Sequence, residues 1–155
     1  MKNRDFTLTL SLEQSPEVVF AAVLDVRGWW SRALEGRSAA VGDEFTYRYE
    51  DRHRSMHRVT EVVADTKVVW HTVSAELSVG GDPHEWTGTD VRFDITRRGT
   101  KTELRFTHVG LVPELGCFEA CSRGWGFYIG VSLHQLITTG KGKPSLKPKG
   151  RTRAA

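Results

Sequence analysis

The side chains whose type and spacing could support chemistry are a few histidines, one cysteine pair and inward-facing tyrosines. His108 closes the alternating run Leu104, Phe106, His108 just before Gly110, so parity places its imidazole on the apolar face of a strand. There it can anchor a polar group of a ligand or act as acid or base near neutral pH. It can equally spend itself on a backbone carbonyl. Cys117 and Cys121 follow four residues apart. With His108 they would offer zinc two thiolates and an imidazole, but CxxxC is not the spacing of a zinc knuckle and no second pair accompanies it. They read as reduced thiols that behave as small hydrophobes. His57 and His71 have undetermined facing, because a shift of one residue in the hairpin register inverts both strands. GxSxG, phosphate-loop, HExxH and dinucleotide-binding glycine patterns do not occur. Asp90, Asp94 and Glu103 point outward by alternation, which leaves Glu61 as the one arguable inward acid. This pattern assigns no catalytic residue, no metal and no cofactor.

The elements that must position these residues are legible in order. Phe6, Leu8, Leu10 and Leu12 alternate with polar residues, as in a half-buried strand. Ser15-Pro16-Glu17 supplies a helix N-cap, a first-turn proline and an early acid ahead of VVFAAVLDV, and Gly28 is expected to end that helix. Trp29, Trp30 and Leu34 fit a second short helix. Strands follow around Phe45–Tyr49, Ser55–Val63 and Lys67–Val73, then a loop over 78–84 that is expected to be mobile. In the next strand Thr89, Val91, Phe93 and Ile95 share one face; parity carried back puts Trp86 outside, where it would suit a dimer contact, unless a bulge at Gly88 intervenes, so its facing stays open. A tight turn at Arg98-Gly99-Thr100 leads into the strand bearing His108. Finally Phe118, Cys121, Ser122, Trp125, Ile129, Ser132, Leu133, Leu136 and Ile137 form one stripe on a long helix, Leu115 to Thr139, which Gly140 stops.

The chain has 155 residues, 39% hydrophobic and 26% charged, which is one ordinary domain. No apolar run approaches the roughly 20 residues of a membrane span, and the start lacks a signal region, so a cytoplasmic location is expected. Residues 141–155 hold six of the 22 Lys and Arg and none of the 19 acids, so the remainder carries a charge of about −3. With Pro144, Pro148 and almost no large apolar residue, this tail cannot bury enough surface to order itself. It also lacks the interleaved aromatics of a nucleic-acid surface, so no nucleic-acid partner is expected. The division is a domain over 1–140 and a basic flexible tail over 141–155.

The segments SPEVVFAAVLDVRGWWS, VGDEFTYRY, RVTEVVADTKVVWHTV, EWTGTDVRFDI and TELRFTHVGLVPELGCFEACSRGWGFYIGVSLHQLITTGKGKP, in this order, resemble the START-like (SRPBCC) superfamily. The branch they are most similar to is that of the activator of heat-shock-protein ATPase. The resemblance implies an α+β helix-grip fold: two short helices after the first strand, and a curved antiparallel sheet of six or seven strands around the long C-terminal helix. It also implies a cavity between helix and sheet, with Tyr47, Tyr49, Val91, Phe93, Leu104, Phe106, His108, Phe118, Cys121, Trp125 and Ile129 as candidate lining. The expected function is binding of a small hydrophobic or amphipathic molecule there, without demonstrated catalysis. One alternative is a cyclase- or dehydratase-type enzyme in which His108 or a tyrosine moves a proton. Another is a protein-interaction module of co-chaperone type, and a homodimer is compatible with each.

Overall fold

The computed structural model describes residues 4–50, 52–78 and 82–145. Strand β1 (Phe6–Leu12) is followed by helix α1 (Pro16–Leu24), whose Ser15 cap accepts a hydrogen bond from the Val18 N–H. Helix α2 (Val26–Trp29) follows at once, so Gly28 lies inside it instead of ending α1. A Cβ at Gly28 would strike the Asp25 carboxylate and come within 3.1 Å of Leu136 Cδ2, so its lack of a side chain lets α2 lie against the C-terminal helix. Trp30 and Leu34 fall after this helix and lead to the two-residue strand β2 (Glu35–Gly36).

Strands β3 (Glu44–Tyr49), β4 (His53–Val63), β5 (Lys67–Leu77), β6 (Asp90–Arg98) and β7 (Lys101–Val109) complete a seven-stranded antiparallel sheet in the order β1-β7-β6-β5-β4-β3-β2. Two bulges in the β4–β5 hairpin resolve the facing that alternation left open. Thr60 has no residue opposite it, because Val59 faces Trp70 and Glu61 faces Val69; Val73 is skipped in the same way between Thr72 and Ser74. Each extra residue inverts the pleat beyond it. Ser55, His57 and Val59 of β4 therefore point inward with Val68, Trp70, Thr72, Ala75 and Leu77 of β5. His71 faces outward and binds Asp90 at 2.7 Å, and Glu61, arguable by sequence, is on the surface with Lys67.

The C-terminal rod consists of α3 (Phe118–Phe127), a π-helical segment (Tyr128–Leu133) and α4 (His134–Thr139), running on without a break. It starts three residues later than the apolar stripe suggests, since residues 113–117 form turns. Cys121, Trp125, Ile129, Ser132, Leu133 and Ile137 are buried against the sheet. The π segment widens one turn, a feature that often marks functional sites. Gly140 ends the rod with φ of 87°, a left-handed conformation that glycine adopts without cost.

The β1–β7–β6 half of the interior is solid. Val91, Phe93, Ile95, Leu104 and Phe106 are at most 4% exposed, with Phe93 edge-on to Trp29 at 5.9 Å and Phe106 against Trp125 at 4.7 Å. Residues 141–145, expected as the start of the tail, cross back over the segment after α2. Ser145 N–H donates to Trp30 O and Arg32 N–H to Ser145 O, both at 2.9 Å. Residues 146–155 lie outside the described residues, as do 79–81 of the expected loop.

Ser132 in the π segment joins these parts. Its hydroxyl donates to Trp29 O and accepts from Lys143 N–H, both at 2.7 Å, and it is fully buried. Ser132→Ala leaves a buried carbonyl and a part-buried N–H unpaired, so it should cost about 1–3 kcal/mol of stability, read as a lower urea midpoint.

Candidate functional site

A cavity of about 240 Å³ lies where the rod crosses the β3–β5 end of the sheet. Tyr47 of β3, His53 of β4 and Leu77 of β5 line its sheet side, while Ala120, Cys121, Gly124, Trp125 and Tyr128 of the rod line the other. Trp30 and Trp86 complete the walls, and the exposed Tyr49 and Arg52 mark its mouth. Its aromatic rings pack in two sets that touch where Trp30 meets Trp125 at 5.0 Å. Trp30 stacks on Tyr47 at 4.1 Å and on Trp70 at 5.8 Å; Trp86 stacks on Trp125 at 5.6 Å with an 8° interplanar angle. The His53 ring stands edge-on to both sets, 4.8 Å from Tyr47 and 4.7 Å from Trp86. Such offset-stacked and edge contacts add about 0.5–1.5 kcal/mol per pair beyond area burial, so the walls are stiff.

Behind these walls runs a continuous line of buried polar groups. Trp125 Nε1–H donates to His108 Nδ1 at 3.0 Å, which fixes the proton of a neutral His108 on Nε2. Nε2–H then donates to Thr89 Oγ1 at 2.8 Å, and that hydroxyl donates to Trp86 O at 2.6 Å. Thr89 and Thr72 hydroxyls are 3.5 Å apart, and Thr72 Oγ1 lies 3.2 Å from His57 Nδ1. His57 Nε2 meets Ser55 Oγ at 2.9 Å, and Ser55 Oγ meets His53 Nε2 at 2.8 Å, back at the cavity. Removal from water dominates the ionisation of all three imidazoles. It pushes His53 and His108 down to about 3 and His57 well below its ordinary value, with the neighbouring histidines adding a smaller push in the same direction on His57 and His108. The chain is uncharged at neutral pH.

Burial, and then the adjacent Tyr128, raise the Tyr47 hydroxyl, so it stays a neutral hydrogen-bonding group. Cys117 and Cys121 are free thiols. Their mutual hydrogen bond and burial hold Cys117 protonated well above the ordinary thiol range. Trp86 Nε1 lies beside the Cys121 sulfur without reaching a hydrogen bond of ordinary geometry and has no other partner. Glu85 closes the start of the rod, accepting from the Gly116 and Cys117 N–H groups at 3.1 Å each.

Of the residues expected to line a cavity, Tyr47, Tyr49, Cys121 and Trp125 border this one. Val91, Phe93, Leu104, Phe106 and Ile129 are fully buried core, and the half-buried Phe118 packs against that core. His108 is fully buried outside the lining, with both ring nitrogens committed. Trp86 reverses the outward position that strand parity implies. Residues 83–88 are successive turns, Gly88 has φ of 86°, and the indole turns inward, 3% exposed. Pro83 and Gly88 were the sequence signal for that turn. His53 was missed because it was read as part of a turn; alternation back from Ser55 and His57 finds it. Trp30, Arg52, Leu77, Ala120, Gly124 and Tyr128 are the other additions.

Comparison with known proteins adds the family. A model described as "Activator of Hsp90 ATPase homolog 1-like protein" matches residues 13–138. The chain belongs to this family. It is thereby a member of the START-like superfamily, and its helix grip matches solved folds. An Aha1 dimer from Colwellia psychrerythraea is 23% identical with a TM-score of 0.71, covering 89% of this chain and 98% of that one. An Hsp90 activator from Plasmodium falciparum is 21% identical with a TM-score of 0.60, covering 90% and 98%. A protein from Mesorhizobium loti is 18% identical with a TM-score of 0.64, covering 86% and 96%. At these identities the likeness is one of fold. A search of curated proteins finds no match. Among the described residues no helix is long and apolar enough to cross a membrane.

The neutral histidines set the acid response. An unfolded histidine takes a proton near pH 6.5, whereas His108 and His53 stay neutral in the fold until about pH 3 and His57 stays neutral well below its ordinary value, so below pH 6.5 the unfolded state binds more protons. Stability is therefore full above pH 6.5 and falls as pH drops. With His57 and His108 fully buried, the slope should approach about 3 kcal/mol per pH unit, since one proton is worth about 1.4. Urea unfolding at successive pH values measures this, and the half-buried His53 adds a smaller share.

Proposed function

We propose that this domain binds one small amphipathic molecule, aromatic in its apolar part, in the cavity between the rod and the β3–β5 end of the sheet. The observation that carries this reading is unfilled space walled by packed aromatic rings between the rod and the sheet. Ligand sites generally combine such apolar walls with a few placed polar groups. Here those are the Tyr47 and Tyr128 hydroxyls, the His53 ring and the Trp86 N–H that finds no partner in the protein. A cavity of about 150 Å³ already accepts benzene, so about 240 Å³ suits one or two fused rings. Binding without catalysis fits the polar groups best. His108, the residue a proton-transfer mechanism would use, lies behind the wall and is spent on Thr89 and Trp125.

The co-chaperone alternative has family membership in its favour. It also has two exposed apolar side chains one helical turn apart on the rod, Phe127 and Val131. A homodimer is a further proposal, suggested by the Colwellia relative. Sedimentation of the purified chain tests it.

Gly124 gives the direct test of the cavity. It borders the space, and a Cβ added there would meet nothing within 4 Å. Gly124→Leu should fill the space while removing a helix-interior glycine, which by itself favours folding by about 1 kcal/mol. Calorimetric titration with naphthol should show binding to the natural chain and at least a tenfold loss in the variant, whose melting temperature is unchanged or higher. Equal binding by both would remove the cavity from consideration.

A further inference from the structure

The unpaired polar groups at this cavity share one character, and that narrows the ligand. Arg52 lies at the mouth, and its guanidinium makes no ion pair or side-chain hydrogen bond; only its backbone is engaged, with Tyr49 and Ser78. Of the nearby arginines, Arg48 pairs with Glu35 at 3.9 Å and Arg58 with Glu44 at 2.8 Å, while Arg54, which does not line this space, also has no ion pair among the described residues. Deeper in, Trp86 Nε1 is a second donor without an acceptor, and it is 97% buried by virtue of its 3% exposure. Among the described residues no carboxylate lines the space. Glu85, whose charge is felt at Cys121, is occupied by the Gly116 and Cys117 N–H groups. The histidines behind the wall bring no compensating charge of either sign. A cavity whose one formal charge is a free guanidinium, and whose walls are stacked rings, is complementary to a flat anion.

We infer that the ligand of this cavity is an aromatic carboxylate of one or two fused rings, its carboxylate held at Arg52 and its ring in the open space bordered by Tyr47, Trp86 and Trp125. This rests on the cavity being a binding site, as proposed above. A guanidinium matches a carboxylate with two parallel N–H donors, a geometry that a single ammonium does not offer. His53 adds a polar contact that suits either partner. Its Nε2 is bound to Ser55, and its Nδ1 carries no hydrogen bond among the described residues. Because Ser55 and His57 can reverse their shared protons together, Nδ1 can present either a lone pair or a proton to a ring substituent such as a hydroxyl.

Naphthoate and naphthamide have nearly the same shape and differ in charge, so the pair separates this inference from the cavity reading. Each is titrated calorimetrically into the natural chain, Arg52→Gln and Arg52→Lys at low and high salt. The expected result is that naphthoate binds the natural chain about tenfold or more tightly than naphthamide, as a hydrogen-bonded charge implies. That ratio should fall to about one in Arg52→Gln, recover in part in Arg52→Lys and shrink with added salt. If naphthamide binds the natural chain as tightly as naphthoate, or the preference survives Arg52→Gln, the carboxylate inference is overturned and the cavity reading stands. If neither probe gives heat that Gly124→Leu abolishes, both are overturned.

Discussion

Burying two imidazoles, His57 and His108, and half-burying a third, His53, without a counter-charge is the constraint around which this interior is built. A buried charged histidine would be prohibitively costly, so each ring must be neutral. A neutral ring still has one donor and one acceptor to satisfy, and leaving either unmet costs about 1–3 kcal/mol. The chain from Trp125 through His108, Thr89, Thr72, His57 and Ser55 to His53 meets that demand at both nitrogens of His108 and His57 and at Nε2 of His53, with side chains from β4, β5, β7, the β5–β6 connection and the rod. The bulge that skips Val73 lets Thr72 remain opposite His57 while Ala75 and Leu77 still face inward. The rod is thus fixed to the sheet by a directional bond, Trp125 to His108, as well as by apolar packing.

That fixation explains why the interior is solid on one side and open on the other. With Trp125 held toward His108, its ring lies against Phe106 and stacks on Trp86, closing the β6–β7 side. On the β3–β5 side the rod presents Ala120 and Gly124, residues too small to reach Tyr47 and Trp30, and the space between stays unfilled. Cavity and polar chain are two results of one arrangement.

Much of this was written plainly in the sequence. The period-two runs Phe6–Leu12 and Leu104–His108, the capped start at Ser15-Pro16 and the apolar stripe from Cys121 to Ile137 are strong local signals, and each became the element it implied. The inward position of His108 followed from parity alone. What stayed hidden was non-local. The bulges at Thr60 and Val73 depend on cross-strand pairing, so the facing of His57 could not be counted from either strand by itself. The facing of Trp86 stayed open because parity cannot be carried through the consecutive turns that Pro83 and Gly88 introduce. The division of the wall into filled and open halves depends on which large residues meet across the grip. Alternation marks Phe93 and Tyr47 as inward alike, yet one meets Trp29 and the other faces open space.

The most direct test of this account is NMR of the imidazole nitrogens, followed from neutral pH to the onset of acid unfolding. His108 should give the signature of the neutral tautomer protonated on Nε2, with Nδ1 hydrogen-bonded, and should hold it until the fold is lost. A His108 that titrates reversibly near pH 6.5 in the folded protein, or carries its proton on Nδ1, would contradict the polar chain and with it the origin proposed for the cavity.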